Sequence, residues 1–130
     1  MKILVIDDDP ATTDLLKLTL QSTTAFILTS NSAREGIALA QKRKPDIILM
    51  DLMMEDMFGW EACKEIRAFS TTPILMISAV DSPEMIVKAL DSGADDYIIK
   101  PVNSDILVAH INKALRRNYI GRGMILVPNN

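Results

Sequence analysis

The sequence predicts an α/β fold, a parallel sheet covered by helices on both faces, and three observations carry that reading. Short apolar runs alternate with longer stretches in which apolar residues recur at helical spacing. The runs are apolar throughout rather than at every second position, as strands buried on both faces require. Capping and stop residues stand at the joints. A chain of 130 residues makes one domain, since domains run to roughly 100 to 200 residues.

Taken in order, Ile3 to Ile6 is the first strand, and Pro10 suits the first turn of the helix that follows. Ala25 to Thr29 is the second strand. Ser32 and Glu35 then form a capping box for a helix with the apolar face Ala33, Ile37 and Ala40. Ile47 to Met50 is the third strand, and its helix carries Ala62, Ile66 and Phe69. The fourth strand, Ile74 to Ile77, precedes a helix with Ile86, Ala89 and Leu90 that stops at Gly93. Tyr97 to Ile99 is the fifth. Asn103 or Ser104 caps the last helix, whose buried stripe is Leu107, Ile111, Ala114 and Leu115. Right-handed crossovers make these five βα units a three-layer sandwich. Periodicity leaves the strand order open. Residues 119–130, with the apolar patch Met124 to Val127, read as a linker stub, an added edge strand or a disordered end.

Composition narrows the function. With 48% hydrophobic and 24% charged residues, disorder is excluded as the main state. No apolar run exceeds four residues, against the roughly 20 that span a bilayer. Three aspartates interrupt the N-terminus before a signal-peptide core could form, so the expected compartment is the cytoplasm. One cysteine, Cys63, and one histidine, His110, exclude an internal disulfide and a zinc cluster, and leave oxygen ligands for any metal. Net charge is −3, and the basic residues form no stripe, so direct nucleic-acid binding is not expected. Lys42-Arg43-Lys44 and Arg116-Arg117 instead sit near helix ends, where cations complement the dipole.

Polar residues gather where a parallel sheet has its functional edge, after the strand C-termini. Asp7, Asp8 and Asp9 follow strand one, Asp51 strand three, Ser78 strand four, and Lys100-Pro101 strand five. If strands one and three are neighbours, their ends lie about 5 Å apart and several carboxylates share one pocket. Like charges so close raise each other's pKa unless a cation compensates, and Mg²⁺ is the natural compensator. The set reads as a phosphoryl-transfer site, with carboxylates for metal, one carboxylate nucleophile, and a hydroxyl and an amine for the phosphoryl oxygens.

Four motifs carry a resemblance: Ile3-Leu-Val-Ile-Asp-Asp-Asp-Pro10, Pro45-Asp-Ile-Ile-Leu-Met-Asp-Leu-Met-Met54 with Gly59, Pro73-Ile-Leu-Met-Ile-Ser-Ala79, and Gly93-Ala-Asp-Asp-Tyr-Ile-Ile-Lys-Pro101. In that order and spacing they resemble the response-regulator receiver domains of two-component signalling, over residues 1–118. The resemblance implies the flavodoxin-like strand order 2-1-3-4-5. It implies that Asp51 accepts a phosphoryl group from a histidine kinase or phosphotransfer protein. Asp8, Asp51 and the backbone carbonyl of Met53 would hold Mg²⁺ directly, with Asp7 acting mainly through water. Ser78 and Lys100 would meet phosphoryl oxygens, Tyr97 would turn inward as the aromatic switch, and the Lys100-Pro101 peptide would be cis. The segment Gly93 to Pro101 is similar to receivers fused to winged-helix DNA-binding domains, which implies a homodimer through the fourth helix, fifth strand and fifth helix. Such a domain signals rather than turning over a substrate, although it catalyses its own phosphorylation and dephosphorylation.

Glu55 stands where the family often has proline, and Phe58 where an acidic or small residue is frequent. Met53 and Val80 are apolar at positions that influence hydrolytic water, and imply slower loss of phosphate. Asp9 and Asp56 read as helix caps or solvated loop residues. Met50, Met53, Met54 and Met57 read as packing, Cys63 as an inert thiol, His110 as a surface or interface residue, and Trp60 as packing. A flavodoxin-type carrier would need a phosphate loop where Asp7 to Asp9 would repel the phosphate. An aspartyl-phosphate phosphatase would need a second aspartate where Met53 stands. A receiver-like module that is never phosphorylated would not need the intact acidic, hydroxyl and lysine set.

Overall fold

Successive residues of a strand face opposite sides of the sheet, and this period of two divides the core of the protein in half. The computed structural model describes residues 1–118. Its strands are β1 (Lys2–Ile6), β2 (Phe26–Ser30), β3 (Ile47–Met50), β4 (Ile74–Ser78) and β5 (Asp96–Ile99). They alternate with α1 (Pro10–Gln21), α2 (Ala33–Arg43), α3 (Gly59–Arg67), α4 (Pro83–Asp91) and α5 (Ser104–Asn118). All pairings are parallel, in the order β2-β1-β3-β4-β5. Leu4, Ile6, Ile48, Met50, Ile74 and Met76 form one core with Ile37, Cys63, Ile66 and Ala89 of α2, α3 and α4. Their neighbours Ile3, Val5, Ile47, Leu49, Leu75 and Ile77 form the other with Leu16, Leu20, Leu107 and Ile111 of α1 and α5. Each fully buried Leu or Ile contributes about 1.5 to 3 kcal/mol, so both layers are held by burial rather than by polar pairing.

The caps follow the sequence closely. Asp9 accepts from the Ala11 N–H at 3.0 Å and starts α1, with Pro10 in its first turn. The Ser32 hydroxyl accepts from Glu35 N–H at 3.1 Å, but the Ser32 N–H donates to the Ser30 hydroxyl at 3.4 Å, so only half of the expected capping box forms. Asn103, rather than Ser104, caps α5, accepting from Asp105 and Ile106 at 2.7 and 3.3 Å. Gly93 has φ of 116°, a left-handed conformation that glycine tolerates. Arg67 secures this corner: its guanidinium donates to the carbonyls of Gly93 and Thr72 and to Asp95, tying α3 to the entrances of β4 and β5.

Several expectations shift. β2 runs Phe26–Ser30, one residue later than predicted, and β4 includes Ser78. Phe69 lies beyond α3 and is exposed, because the chain tightens into i to i+3 bonds at Ala68 and Phe69. Of the three α4 positions, Ala89 is buried while Leu90 is exposed, since α4 packs over the sheet edge at β5. The expected tail, 119–130, lies outside the described residues.

Candidate functional site

Strand register builds the site. Ile6 of β1 pairs with Met50 of β3, so Asp7 and Asp51 leave the sheet side by side. Asp7 N–H donates to the Ser30 carbonyl, and Asp51 N–H to the Ile6 carbonyl, both at 3.0 Å. Asn31 holds the first loop from the other side, its amide donating to the Asp7 carbonyl at 2.9 Å and to the Thr13 hydroxyl at 3.0 Å. Lys100 directly follows β5, two strands away from β3, and its long side chain closes the gap. Its ammonium lies 3.0 Å from Asp7 Oδ2 and 3.6 Å from Asp51 Oδ2. The Lys100-Pro101 peptide is cis, as the resemblance implied.

One carboxylate oxygen from each of Asp7, Asp8 and Asp51 falls within 4.8 Å of the others. Asp7 is buried, whereas Asp8 and Asp51 are half-buried and open toward solvent. Burial raises the Asp7 pKa, the Asp51 charge adds to that, and the Asp9 N–H and Lys100 oppose it. For Lys100, burial works to lower the pKa, but Asp7 and Asp51 outweigh it and hold the ammonium charged above its ordinary range. One lysine thus pairs with two of three clustered carboxylates. A hard divalent cation fits the remaining charge and the all-oxygen donor set. Asp51 keeps one oxygen on the N–H of Leu52, at 2.7 Å.

Ser78 and Tyr97, the residues expected to form the switch, approach the same residue, Val80. Ser78 is buried and its hydroxyl accepts from Val80 N–H at 3.2 Å. Tyr97 is half-buried and its hydroxyl donates to the Val80 carbonyl at 2.6 Å. Burial raises the Tyr97 pKa, with the Ser78 hydroxyl opposing and the Asp51 and Asp81 charges adding. The inward swing expected of Tyr97 therefore starts from a ring already partly inside, because the turn at Val80 presents a carbonyl to it.

Asp9 and Asp56 both cap helices, but Asp56 does so at a distance. It accepts from Ala33 and Arg34 at the start of α2, at 3.0 and 2.9 Å. Met53 is exposed, and its backbone bridges to Phe58 across the β3–α3 loop. Trp60 is buried, stacked on Phe58 with centroids 4.3 Å apart, and the Lys88 ammonium lies over its ring, 4.4 Å from the centroid. Cys63 is fully buried and burial raises its thiol pKa. His110 lies on α5 and meets Asp96 of β5, its Nδ1 2.6 Å from Asp96 Oδ2. The sequence reading missed the N–H of Glu55, which donates to Asp8 Oδ2 at 2.9 Å. Its one signal was the absence of proline at that position.

Residues 3–112 match the response regulator receiver domain family. The chain is 36% identical over 115 residues to the transcriptional regulatory protein AfsQ1 of Streptomyces coelicolor, covering 88% of this chain and 51% of that one. It is 36% identical over 117 residues to the DNA-binding response regulator MtrA of Mycolicibacterium smegmatis, covering 90% and 51%. The chain thus spans about half the length of these relatives. A two-component response regulator from Clostridium difficile superposes with TM-score 0.87 at 36% identity, over 91% of this chain and 98% of that one.

Proposed function

The chain belongs to the response regulator receiver domain family, and from that membership we propose that Asp51 accepts a phosphoryl group from a histidine kinase or phosphotransfer protein. Two-component phosphorelay signalling is what the family does. The observation that carries the residue assignment is the single ammonium of Lys100 set between Asp7 and Asp51, at 3.0 and 3.6 Å. In this reading an Asp51 oxygen attacks phosphorus, the bond to the donor's imidazole nitrogen breaks, and the imidazole leaves with the electron pair. Lys100 and the Ser78 hydroxyl take up phosphoryl oxygens. Asp8, Asp51 and the Met53 carbonyl would hold Mg²⁺, with Asp7 behind them, and the ion when bound neutralises phosphoryl charge. The chain's own groups thus catalyse both its phosphorylation and its hydrolysis, without turning over a separate substrate.

Residues 1–118 form the domain in this proposal, working in the cytoplasm, with any further output supplied by other segments or partners. Among the described residues no helix is long and apolar enough to cross a membrane. The test is incubation with Mg²⁺ and acetyl phosphate followed by intact-mass measurement. Wild type should gain one phosphoryl group and Asp51→Asn none. A full adduct on that variant would move the acceptor elsewhere.

A further inference from the structure

Two consecutive residues of the β3–α3 loop grip two different elements. Asp56 turns its carboxylate onto the start of α2, one oxygen to Ala33 N–H and the other to Arg34 N–H. Glu55, immediately before it, aims its N–H at Asp8 Oδ2 from 2.9 Å. The first four N–H groups of a helix have no partner within it. In α2, Ser32 takes the N–H of Glu35 through its hydroxyl and that of Gly36 through its carbonyl. The first two are left to Asp56, which stands 23 and 22 residues away in sequence. These bonds hold the Asp56 carboxyl below its ordinary pKa although burial works the other way. The loop is therefore pinned at one residue by a charged cap and delivers its neighbour's N–H to the acidic pocket.

We propose that Asp56 is a positioning residue for the metal site, acting through the backbone of Glu55 on the orientation of Asp8. The proposal rests on the reading of Asp8 as a metal ligand given above. A half-buried carboxylate can rotate, and an N–H on one of its oxygens restrains a group whose carboxylate lies within 4.8 Å of those of Asp7 and Asp51. Proline, which has no N–H, could not make this bond. The device belongs to the particular residues Glu55 and Asp56 of this chain.

The experiment is a Mg²⁺ titration followed by Trp60 fluorescence, with thermal melts and amide exchange on the same metal-free proteins. Asp56→Ala should weaken Mg²⁺ binding about tenfold, the scale of outer partners that orient metal ligands, and should speed exchange at Glu55. Asp56→Asn keeps an acceptor oxygen and is among the best capping residues, so it should restore most of the affinity. Glu55→Pro should weaken binding as Asp56→Ala does, while Glu55→Ala, which keeps the N–H and removes the charge, should not. Asp8→Ala should lose far more than any of them. If Asp56→Ala lowers the melting temperature with Mg²⁺ affinity unchanged, Asp56 is a helix cap alone and the proposal is overturned. The same holds if Glu55→Pro and Glu55→Ala bind alike. If Asp8→Ala binds as wild type does, the assignment of the ligands fails instead. Should Asp56→Ala not fold, the Glu55 pair decides the matter by itself.

Discussion

Asp7 and Asp51 share the one ammonium of Lys100, and Asp7 does so while buried. Like charges held this close store unfavourable energy, and sites of function commonly carry such a cost in stability. Asp51→Asn should therefore stabilise the metal-free protein by about 1 kcal/mol, read as a higher midpoint in thermal melts, and the gain should shrink when Mg²⁺ is added. Lys100→Met should have the opposite effect at neutral pH. Because the folded-state pKa of Lys100 is raised, its contribution is complete below the ordinary value of 10.5 and is lost as pH rises through the raised value. Urea melts of wild type and Lys100→Met should thus differ at pH 7 to 10 and converge above that window; a constant gap across pH would show that Lys100 acts through packing instead.

At the scale of elements, α3 starts so close to the end of β3 that its first residue has no room for a side chain. A Cβ on Gly59 would lie 2.6 Å from the Asp51 carbonyl oxygen and 2.9 Å from Leu52 Cα, and these are backbone atoms that cannot swing aside. The Gly59 N–H also donates to the Leu52 carbonyl at 2.7 Å. Gly59→Ala should cost about 1 to 3 kcal/mol, as overpacking does, and should slow acetyl-phosphate labelling because the strain falls on Asp51. Denaturant melts and labelling rates measure the two effects. Wild-type stability and rate together would mean that α3 moves off without disturbing the site. A similar tightness holds α2, where a Cβ on Gly36 would meet both γ carbons and the Cδ1 of Ile6, a fully buried β-branched side chain with little freedom to turn.

For the molecule as a whole, hydrogen bonds run from the Ser78 hydroxyl through the two sides of Val80 to the Tyr97 hydroxyl of β5. Exposed Val87, Leu90, Ile99 and Ile106 lie on α4, β5 and α5, and the His110–Asp96 contact joins α5 to β5 on that side. In the proposed reading Ser78 would turn to a phosphoryl oxygen, Val80 would lose the hydroxyl that its N–H meets, and the carbonyl that anchors Tyr97 would move with it. Beryllofluoride with Mg²⁺, as a phosphoryl mimic, should then increase self-association through α4, β5 and α5 and alter amide exchange there. Ser78→Ala should abolish the coupling while Asp51 still takes phosphate. Light scattering that rises equally in Ser78→Ala would rule out this relay and leave the acceptor untouched. The apolar residues on that face bear on the size of the effect, since about 25 cal/mol is gained per Å² of apolar surface covered.

The strands, the helices and the polar residues at the strand ends were legible in the amino-acid order, because each rests on local chemistry. Apolar runs such as Ile47 to Met50 can be satisfied only by burial on both faces, and Asp7, Asp51 and Lys100 follow their strands by single peptide bonds. The strand order was legible through motif resemblance and not through periodicity, since a period of two is the same whichever strand lies alongside. Tertiary structure alone decided which orphan groups found partners. Asp56 reaches α2, Arg67 reaches Gly93 and Thr72, and Glu55 reaches Asp8, over separations of 23, 26, 5 and 47 residues. Phe69 and Leu90 keep a helical spacing yet remain exposed, because the turn after α3 and the position of α4 at the sheet edge bring no layer against them. Spacing shows which face a side chain is on, but whether anything packs against that face depends on where the other elements come to rest.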